Sequence, residues 1–272
     1  MPELPEVEVI RRDLVPKVVG RSIRQASIVT PRLTRRQGSP ATVAAGLVGR
    51  QIQALRRRGK FLQFDLGDRS LIARLGMTGQ FRWWCDQESC QWDEHTHAVL
   101  HFAEGGVLTY RDVRKFGELF LLPTDDVEAA LRVGPEPLEG GFSVAVLRRI
   151  CQSSARVKSV LLDQRKIAGI GNIYADEALF RARIRPTRRA ASLSEAELRA
   201  LRVAIRAVLT AAIRHRGSSI SDFLDPCGEP GGFAPRHRVY HCHGTPCRVC
   251  GTVIRRIFVG QRGTHFCPTC QR

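Results

Sequence analysis

The 272-residue sequence has little lysine and no long apolar run. Lysine supplies 5 of the 43 basic residues, so arginine is the default cation and a retained lysine suggests a chemical requirement. No run reaches the roughly 18 apolar residues that a transmembrane helix needs, so no membrane span is expected. Met1–Glu6 lacks the basic and apolar regions of a signal peptide, and we therefore expect a cytoplasmic protein.

Two long segments contain no acidic residue. Leu14–Phe64 holds 11 basic residues and Pro230–Arg272 holds seven arginines, in a chain of net charge +17. Balanced surfaces intersperse charges of both signs, so these segments indicate an anion-binding face. The expected partner is a polyanion such as nucleic acid, bound by counterion release and weakened by salt. Composition alone also allows a protein whose surface is merely basic.

The first 125 residues carry the signals of one helix followed by short strands. Pro5 opens a predicted helix over Glu6–Val15, which Pro16 and Gly20 end. Up to Pro123, short β-type runs are separated by Gly and Asp; they include Phe61–Leu66, Ala98–Phe102, Gly106–Tyr110 and Leu119–Leu122. Many short strands with intervening turns predict a β-sandwich or barrel.

Beyond Gly134–Pro137, a predicted linker, the signals become helical. Residues 143–217 include a helix that ends near Arg214, with Ser192 or Ser194 as its cap. Residues 217–236 contain seven Gly or Pro and predict a long surface loop. No internal repeat is present. The predicted class is multidomain α+β, with a β-sandwich at 1–125, a helical domain at 135–225 and a metal module at 236–272.

Four cysteines near the C-terminus have the spacing of a structural zinc site. Cys-x-x-Cys pairs at Cys247/Cys250 and Cys267/Cys270 are separated by 16 residues and supply four thiolates, which leaves no open coordination position. Thr252–Val259 is a candidate strand of the intervening hairpin and residues 261–264 its turn. Arg262 in that turn suits a DNA groove or phosphate.

A second metal site is a weaker interpretation of another segment. Cys85, Cys90, His95 and His97 are potential ligands, but the cysteine spacing is loose and three tryptophans surround it. We favour a surface hairpin there.

The N-terminus is a candidate reactive centre. Removal of Met1 would expose Pro2 as a secondary amine, whose pKa lies about two units below that of lysine. A helix beginning just after it would lower the pKa further. Such an amine condenses with an aldehyde carbon to give an iminium ion, and Glu3 could act as general acid and base. Many proteins begin with Met-Pro, and an ordinary terminus is the competing interpretation.

The Pro2–Glu8 start and the two cysteine pairs, in a chain of this length, resemble the formamidopyrimidine-DNA glycosylase family. The resemblance runs nearly end to end. Further matching segments, in family order, are Arg58–Phe61, Leu75–Gly79, Arg114–Gly117, Gly134–Leu138, Gly169–Glu177 and Gly260–Thr264. The resemblance implies an N-terminal β-sandwich, a helix-two-turn-helix domain and a C-terminal zinc finger.

The resemblance also implies residue roles. Pro2 would be the nucleophile at C1′ of the damaged nucleotide, Glu3 its acid and base partner, and Lys60 a phosphate ligand that assists elimination. The remaining implied DNA contacts are Arg74, Met77, Arg114, Phe116, Lys158, Asn172 and Arg262. Met77, Arg114 and Phe116 would fill the gap left by the flipped base, and Asn172 and Arg262 would hold phosphates. Without the resemblance, Met77 and Phe116 would be interpreted as ordinary core residues.

The implied activity is that of a bifunctional DNA glycosylase and abasic-site lyase that excises 8-oxoguanine and formamidopyrimidines. It needs one structural Zn²⁺, acts on duplex DNA as a nucleoid-associated monomer, and involves no membrane. One alternative is the sister class that prefers oxidised pyrimidines, which usually begins Pro-Glu-Gly-Pro rather than Pro2-Glu3-Leu4-Pro5. The other is a non-catalytic zinc protein that binds DNA.

Some positions depart from the family pattern. Arg74 stands where the family often has His, and Val113 where it usually has Pro. The aromatic and cysteine-rich segment 81–97 matches no family feature, and the loop that keeps Ser218–Phe223 continues unusually through Pro226-Cys227. These departures concern lesion preference more than reaction type.

Overall fold

The computed structural model describes residues 2–220 and 223–272. Ser221 and Asp222, part of the Ser218–Phe223 motif, lie outside the described residues. The chain forms two compact units, Met1–Arg132 with Arg216–Gly232 and Val133–His215 with Phe233–Arg272. The division at 1–125, 135–225 and 236–272 stays a prediction.

Seven α-helices and ten β-strands are present in the described residues. The helices are α1 Leu4–Val18, α2 Pro40–Ala45, α3 Val127–Leu131, α4 Val144–Cys151, α5 Val157–Leu162, α6 Asn172–Arg181 and α7 Glu195–Arg214. The strands are β1 Ile23–Ile28, β2 Ala54–Arg58, β3 Phe61–Asp65, β4 Arg69–Arg74, β5 Gly79–Trp84, β6 Thr96–Phe102, β7 Val107–Asp112, β8 Glu118–Pro123, β9 Arg255–Val259 and β10 Arg262–Phe266.

The first unit is built around two four-stranded antiparallel sheets, ordered β1-β6-β7-β5 and β2-β3-β4-β8. Apolar side chains of both sheets share one buried core. Edge-to-face ring contacts cross it, with centroids 5.6 Å apart for Phe64–Phe81 and 5.1 Å apart for Phe81–Tyr110. The predicted β-sandwich is confirmed.

Helix α1 is longer than its predicted span. Leu4, Val7, Leu14 and Val18 recur at helical spacing and are fully buried, so packing carries the helix through its last turn. Pro16 lies inside that turn. A proline there costs one backbone hydrogen bond, and burial of Val18 offsets the loss.

The second unit contains the helices α4 to α7. Ser194, not Ser192, caps α7: its hydroxyl accepts the Glu197 N–H at 3.3 Å, and the Glu197 carboxylate accepts the Ser194 N–H at 2.8 Å. A turn at 164–166 and a bend at 167–169 join α5 to α6. The predicted helical region and its helix-two-turn-helix arrangement are confirmed.

The segment 217–236 is not a plain surface loop. Ser218, Phe223 and Asp225 are buried within the first unit. Arg216 pairs with both Asp13 and Asp225, and Phe223 joins the sandwich core. A segment rich in Gly and Pro was expected to be solvated, but long-range ion pairs fix this one.

The C-terminal hairpin has a tighter turn than predicted. Strands β9 and β10 are joined by Gly260 and Gln261, both with positive φ, as a two-residue type I′ turn requires. Arg262 is therefore the first residue of β10, paired with Val259, and not a turn residue. In the described part of the chain, no helix is long and apolar enough to cross a membrane.

Candidate functional site

Pro2 and Glu3 are buried where α1 begins. Glu3 is the residue before the helix, and its backbone N–H donates to Glu6 Oε2 at 2.8 Å. The other carboxylate oxygen, Glu6 Oε1, accepts the N–H of Ser218 at 2.8 Å. Glu6 thus ties the predicted nucleophile and its acid–base partner to the Ser218 loop. The positive end of a 15-residue helix adds to the potential there.

Lys60 lies in the tight turn between β2 and β3 and is half-buried. Arg57, on β2, pairs with Glu8 of α1 at 3.1 Å, which fixes this hairpin against the helix that starts next to Pro2. Burial alone would raise the Glu8 pKa, but hydrogen bonds and charge from Arg11, Arg12 and Arg57 lower it to about 2. The carboxylate therefore stays ionised at neutral pH and keeps its ion pair with Arg57 of the hairpin that bears Lys60.

Met77 and the pair Arg114 and Phe116 lie in two loops that one buried carboxylate joins. Asp112 accepts a hydrogen bond from the Thr78 hydroxyl beside Met77 and another, at 2.7 Å, from the Gly117 N–H. Thr78 also accepts the Arg114 N–H at 3.0 Å. Burial and the Asp112 charge raise the pKa of neighbouring Tyr110 well above its ordinary value. The three predicted gap-filling residues are therefore brought together.

Phe116 is 37 % exposed and Met77 half-buried, so neither is a core residue. The Arg114 guanidinium lies over the Phe116 ring, 4.8 Å from its centroid. Exposed apolar side chains at a loop tip, stacked with a cation, suit insertion into a base stack better than core packing.

Gly76→Ala is expected to separate these two loops. Gly76 has φ +65°, and a Cβ there would lie 2.5 Å from the Phe116 carbonyl carbon. Left-handed strain costs about 1–3 kcal/mol, and the backbone contact adds loop displacement. Gly105→Ala is the matched control, because Gly105 has φ +86° with nothing within 4 Å. Gly76→Ala should lower both the free energy of unfolding in denaturant and the excision rate more than Gly105→Ala does. Equal losses in the two variants would contradict this role of Gly76.

Arg74 ends β4 and donates from Nε to Glu118 Oε2 at 3.1 Å. Glu118 also pairs with Arg35 and Arg36. Burial would raise the Glu118 pKa, but the three guanidinium groups lower it. Arg74 keeps N–H donors beyond this bond and is 38 % exposed, so its contact with DNA stays a prediction.

In the second unit, Asn172 is the first residue of α6, and its Nδ2 donates to the Gly263 carbonyl at 2.9 Å. Gly263 follows Arg262, which is exposed. The N-terminus of α6 is thus held beside the arginine of the hairpin. A helix N-terminus next to an exposed arginine is a favourable binding site for a phosphate group.

Lys158 does not lie where its predicted contact with DNA requires. Its side chain is fully buried, and Nζ donates to Gly263 O at 3.0 Å and to Thr264 Oγ1 at 2.8 Å. Its Nζ lies 2.7 Å from a carboxylate oxygen of Asp176, also fully buried. An enclosed ammonium cannot reach a phosphate, so the predicted role is wrong. Lys158 instead holds the hairpin that carries Arg262.

Lys158→Met is expected to destabilise the second unit by about 3–5 kcal/mol, because it removes the ammonium that pairs with the buried Asp176 carboxylate. Denaturant unfolding would measure the loss, and adding Asp176→Asn should recover part of it. Lys166→Met, at a half-exposed position, is the control and should change stability by less than about 0.5 kcal/mol. Identical unfolding midpoints for the two lysine variants would contradict the buried pair.

The four predicted zinc ligands converge. Their sulfur atoms all lie within 4.8 Å of one another, with Cys247–Cys270 at 3.9 Å and Cys250–Cys267 at 3.4 Å. Tetrahedral zinc with Zn–S bonds of about 2.3 Å requires sulfurs about 3.8 Å apart, so the set fits one zinc ion. Hydrogen bonds from Thr252 lower the pKa of Cys250 to about 6, which favours the thiolate.

The second metal site is not formed by the described residues. Both ring nitrogens of His97 are in use, Nδ1 with Thr30 Oγ1 and Nε2 with the Asp112 carbonyl, each at 2.9 Å. The favoured surface hairpin is wrong as well, because β7 lies between β5 and β6.

Three positioning residues were missed from the sequence, namely Glu6, Asp112 and Asp176. The Pro2–Glu8 and Gly169–Glu177 motifs contain two of them, and that was the only available signal. Their distant partners are Ser218, 212 residues from Glu6, Thr78, 34 residues from Asp112, and His265, 89 residues away, whose N–H donates to Asp176. Such pairings cannot be inferred from local spacing.

Sequence models of three domain families match this chain. They describe the formamidopyrimidine-DNA glycosylase N-terminal domain over residues 1–119, the H2TH domain of that enzyme over residues 133–224, and a zinc finger found in FPG and IleRS over residues 244–272.

Curated relatives with the name formamidopyrimidine-DNA glycosylase match along the whole chain. One from Thermus thermophilus is 48% identical over 278 residues, covering all of this chain and 98% of its own. That of Symbiobacterium thermophilum is 47% identical over 275 residues, covering all of this chain and 89% of its own. Among solved structures, a mutant Lactococcus lactis FPG with Fapy-dG containing DNA is similar at a TM-score of 0.92, 38% identity and full coverage of both chains.

Proposed function

This chain belongs to the formamidopyrimidine-DNA glycosylase family, and we propose that it excises oxidised purines from duplex DNA and then cleaves the strand through an N-terminal proline iminium ion. It is a DNA glycosylase with one structural zinc site. Its substrates are 8-oxoguanine and formamidopyrimidines, and we place it at the nucleoid in the cytoplasm. One observation carries the mechanism: the buried Pro2–Glu3 start at the positive end of α1, tied through Glu6 to the Ser218 loop.

The reaction begins once Met1 is removed. The Pro2 nitrogen forms a bond to C1′ and loses its proton, while the glycosidic C–N bond breaks and the electron pair of that bond leaves with the base, which takes up a proton. Opening of the sugar gives an iminium ion, which withdraws electrons from the neighbouring carbon. Loss of a C2′ proton then breaks the C3′–O bond, and a second elimination breaks the C5′–O bond. Glu3 moves the protons; water then hydrolyses the iminium ion and releases the sugar fragment from Pro2, which leaves a one-nucleotide gap with phosphate ends.

Residues of the first unit prepare the base for attack. Lys60 binds a phosphate beside the lesion and assists elimination. Met77 and Phe116 fill the space that the extruded purine leaves, and Arg114 hydrogen-bonds to the unpaired base opposite. These roles are supported by the hydrogen bonds that anchor the loops of Met77 and of Arg114 and Phe116 on the same residue, Asp112.

Residues of the second unit hold the DNA. Asn172 and Arg262 bind phosphates, and Lys158 keeps the Arg262 hairpin in place. Zinc folds the module and takes no part in the chemistry.

Single-turnover assays on a panel of duplexes test this function. A duplex with 8-oxoguanine or a formamidopyrimidine should be cut at least about tenfold faster than one with an oxidised pyrimidine, and undamaged DNA should remain intact. Glu3→Gln should slow excision by about 10²–10⁴-fold while duplex affinity is kept.

Each competing function predicts another outcome. A preference for oxidised pyrimidines would support the sister class; binding of such a lesion alone would not, because one Lactococcus lactis FPG structure contains oxidised pyrimidine DNA. Salt-sensitive binding without any cleavage, with Met1 shown to be absent, would support a non-catalytic zinc protein.

A further inference from the structure

The second unit contains a pocket of about 480 Å³ between the C-terminal end of α6, the C-terminal half of α7 and the zinc module. No step of the proposed function uses it. Asn172 stands at the opposite end of α6, about 14 Å away along the helix at 1.5 Å per residue. The pocket therefore lies at the opposite end of α6 from Asn172, the proposed phosphate ligand.

The floor of the pocket is apolar and held in place. It includes Phe180, Phe233 and Val208, each less than a tenth exposed. The Phe233 ring contacts the rings of Tyr174, with centroids 6.0 Å apart, and His237, at 5.7 Å. A floor built from interlocked rings cannot collapse when empty, so the cavity is preformed for an apolar group.

The rim of the pocket is cationic. It carries four exposed arginines, Arg181, Arg183, Arg236 and Arg238, and none of them has an ion-pair partner among the residues that the structure describes. Arg188, elsewhere in the same unit, is paired with Glu197. The one acid of the lining, Glu177, is buried and accepts the backbone N–H groups of residues 238 to 240. It is therefore not available to the guanidinium groups of the rim.

We propose that this pocket binds an acidic peptide segment of a partner protein that carries a large apolar side chain. Carboxylates of the segment pair with the rim arginines, for which the planar guanidinium is suited. The apolar side chain fills the floor, in the manner of an interface anchor.

A nucleic acid is the less suitable occupant. A sugar-phosphate backbone would satisfy the arginines but leave the apolar floor empty.

Fluorescence anisotropy on the full zinc-loaded chain tests the proposal. The probe is a fluorescein-labelled peptide, Asp-Asp-Phe-Asp-Asp, and we expect saturable binding with a Kd below about 100 µM. The same peptide with Ala in place of Phe should bind at least tenfold more weakly. Undamaged duplex DNA should not displace the probe.

Two variants examine the rim and the floor separately. Arg236→Glu with Arg238→Glu should weaken the peptide at least tenfold, whereas Arg189→Glu, an exposed arginine outside the lining, should change Kd less than threefold. Ala211→Trp should fill the pocket and abolish binding, with zinc content and circular dichroism as checks of folding. No saturation at 1 mM, equal binding of the Ala peptide, an equal loss in Arg189→Glu, or displacement by duplex DNA would each overturn the proposal.

Discussion

Borohydride is expected to trap this protein on a duplex carrying 8-oxoguanine opposite cytosine, with the covalent bond at Pro2. Reduction converts the iminium ion to a stable tertiary amine, and mass mapping of the digested adduct identifies the residue. An extension of two residues before Pro2 turns the amine into an amide. It should lower excision and trapping by a factor on the order of 10³ or more, because the nucleophile is lost.

The matched variant is Pro2→Gly, which keeps a terminal amine and should still be trapped, though more slowly. Duplex affinity should be similar in all three proteins, because the predicted phosphate ligands are unchanged. An adduct on a lysine would retain the lyase but overturn the nucleophile. Full activity of the extended protein would reject covalent catalysis by the N-terminus.

Loss of zinc should have the second large effect. Structural zinc contributes about 10–16 kcal/mol to modules of this kind, and the hairpin bearing Arg262 lies between the two cysteine pairs. Cys247→Ser should therefore lose the metal, unfold the module and weaken duplex binding at least about tenfold. Zinc content, thermal unfolding and anisotropy with labelled duplex measure the three effects.

Cys242→Ser is the control within the same module. Cys242 is half-buried and lies outside the ligand set, and its thiol donates a weak hydrogen bond to the Tyr240 carbonyl at 3.4 Å. This variant should keep one zinc per chain and its DNA affinity. If Cys247→Ser also kept both, the four-cysteine site would be refuted.

Local signals in the sequence were sufficient wherever partners lie close along the chain. Each cysteine pair closes a turn of four residues, so spacing alone specified the zinc ligands, whereas it narrowed the cap of α7 to Ser192 or Ser194. The strands of the sandwich followed from short apolar runs between turns. The catalytic roles of Pro2 and Glu3 came from the family resemblance, because taken in isolation these two residues are an ordinary N-terminus.

Local signals failed where burial or a distant partner decides. Pro16 was expected to end α1, but packing of Val18 extends the helix past it. Loop composition predicted that 217–236 lies in solvent, although Asp225 is buried and its ion pair with Arg216 holds it in the first unit. Charge and motif suggested that Lys158 faces DNA, although its partners enclose it.

The sequence by itself determined the zinc ligands and the basic character of this protein, because these depend on which residues are present and on short spacings. The reaction class followed from the family resemblance of the whole sequence. Tertiary structure decided which charges are available. The Lys158 ammonium is enclosed by Gly263 and Thr264, more than 100 residues away, and Asp112 joins the Thr78 loop, 34 residues before it, to the loop that holds Gly117. A charged side chain can contact a DNA phosphate only where the side chain reaches the protein surface. Burial of a side chain is a property of the whole fold.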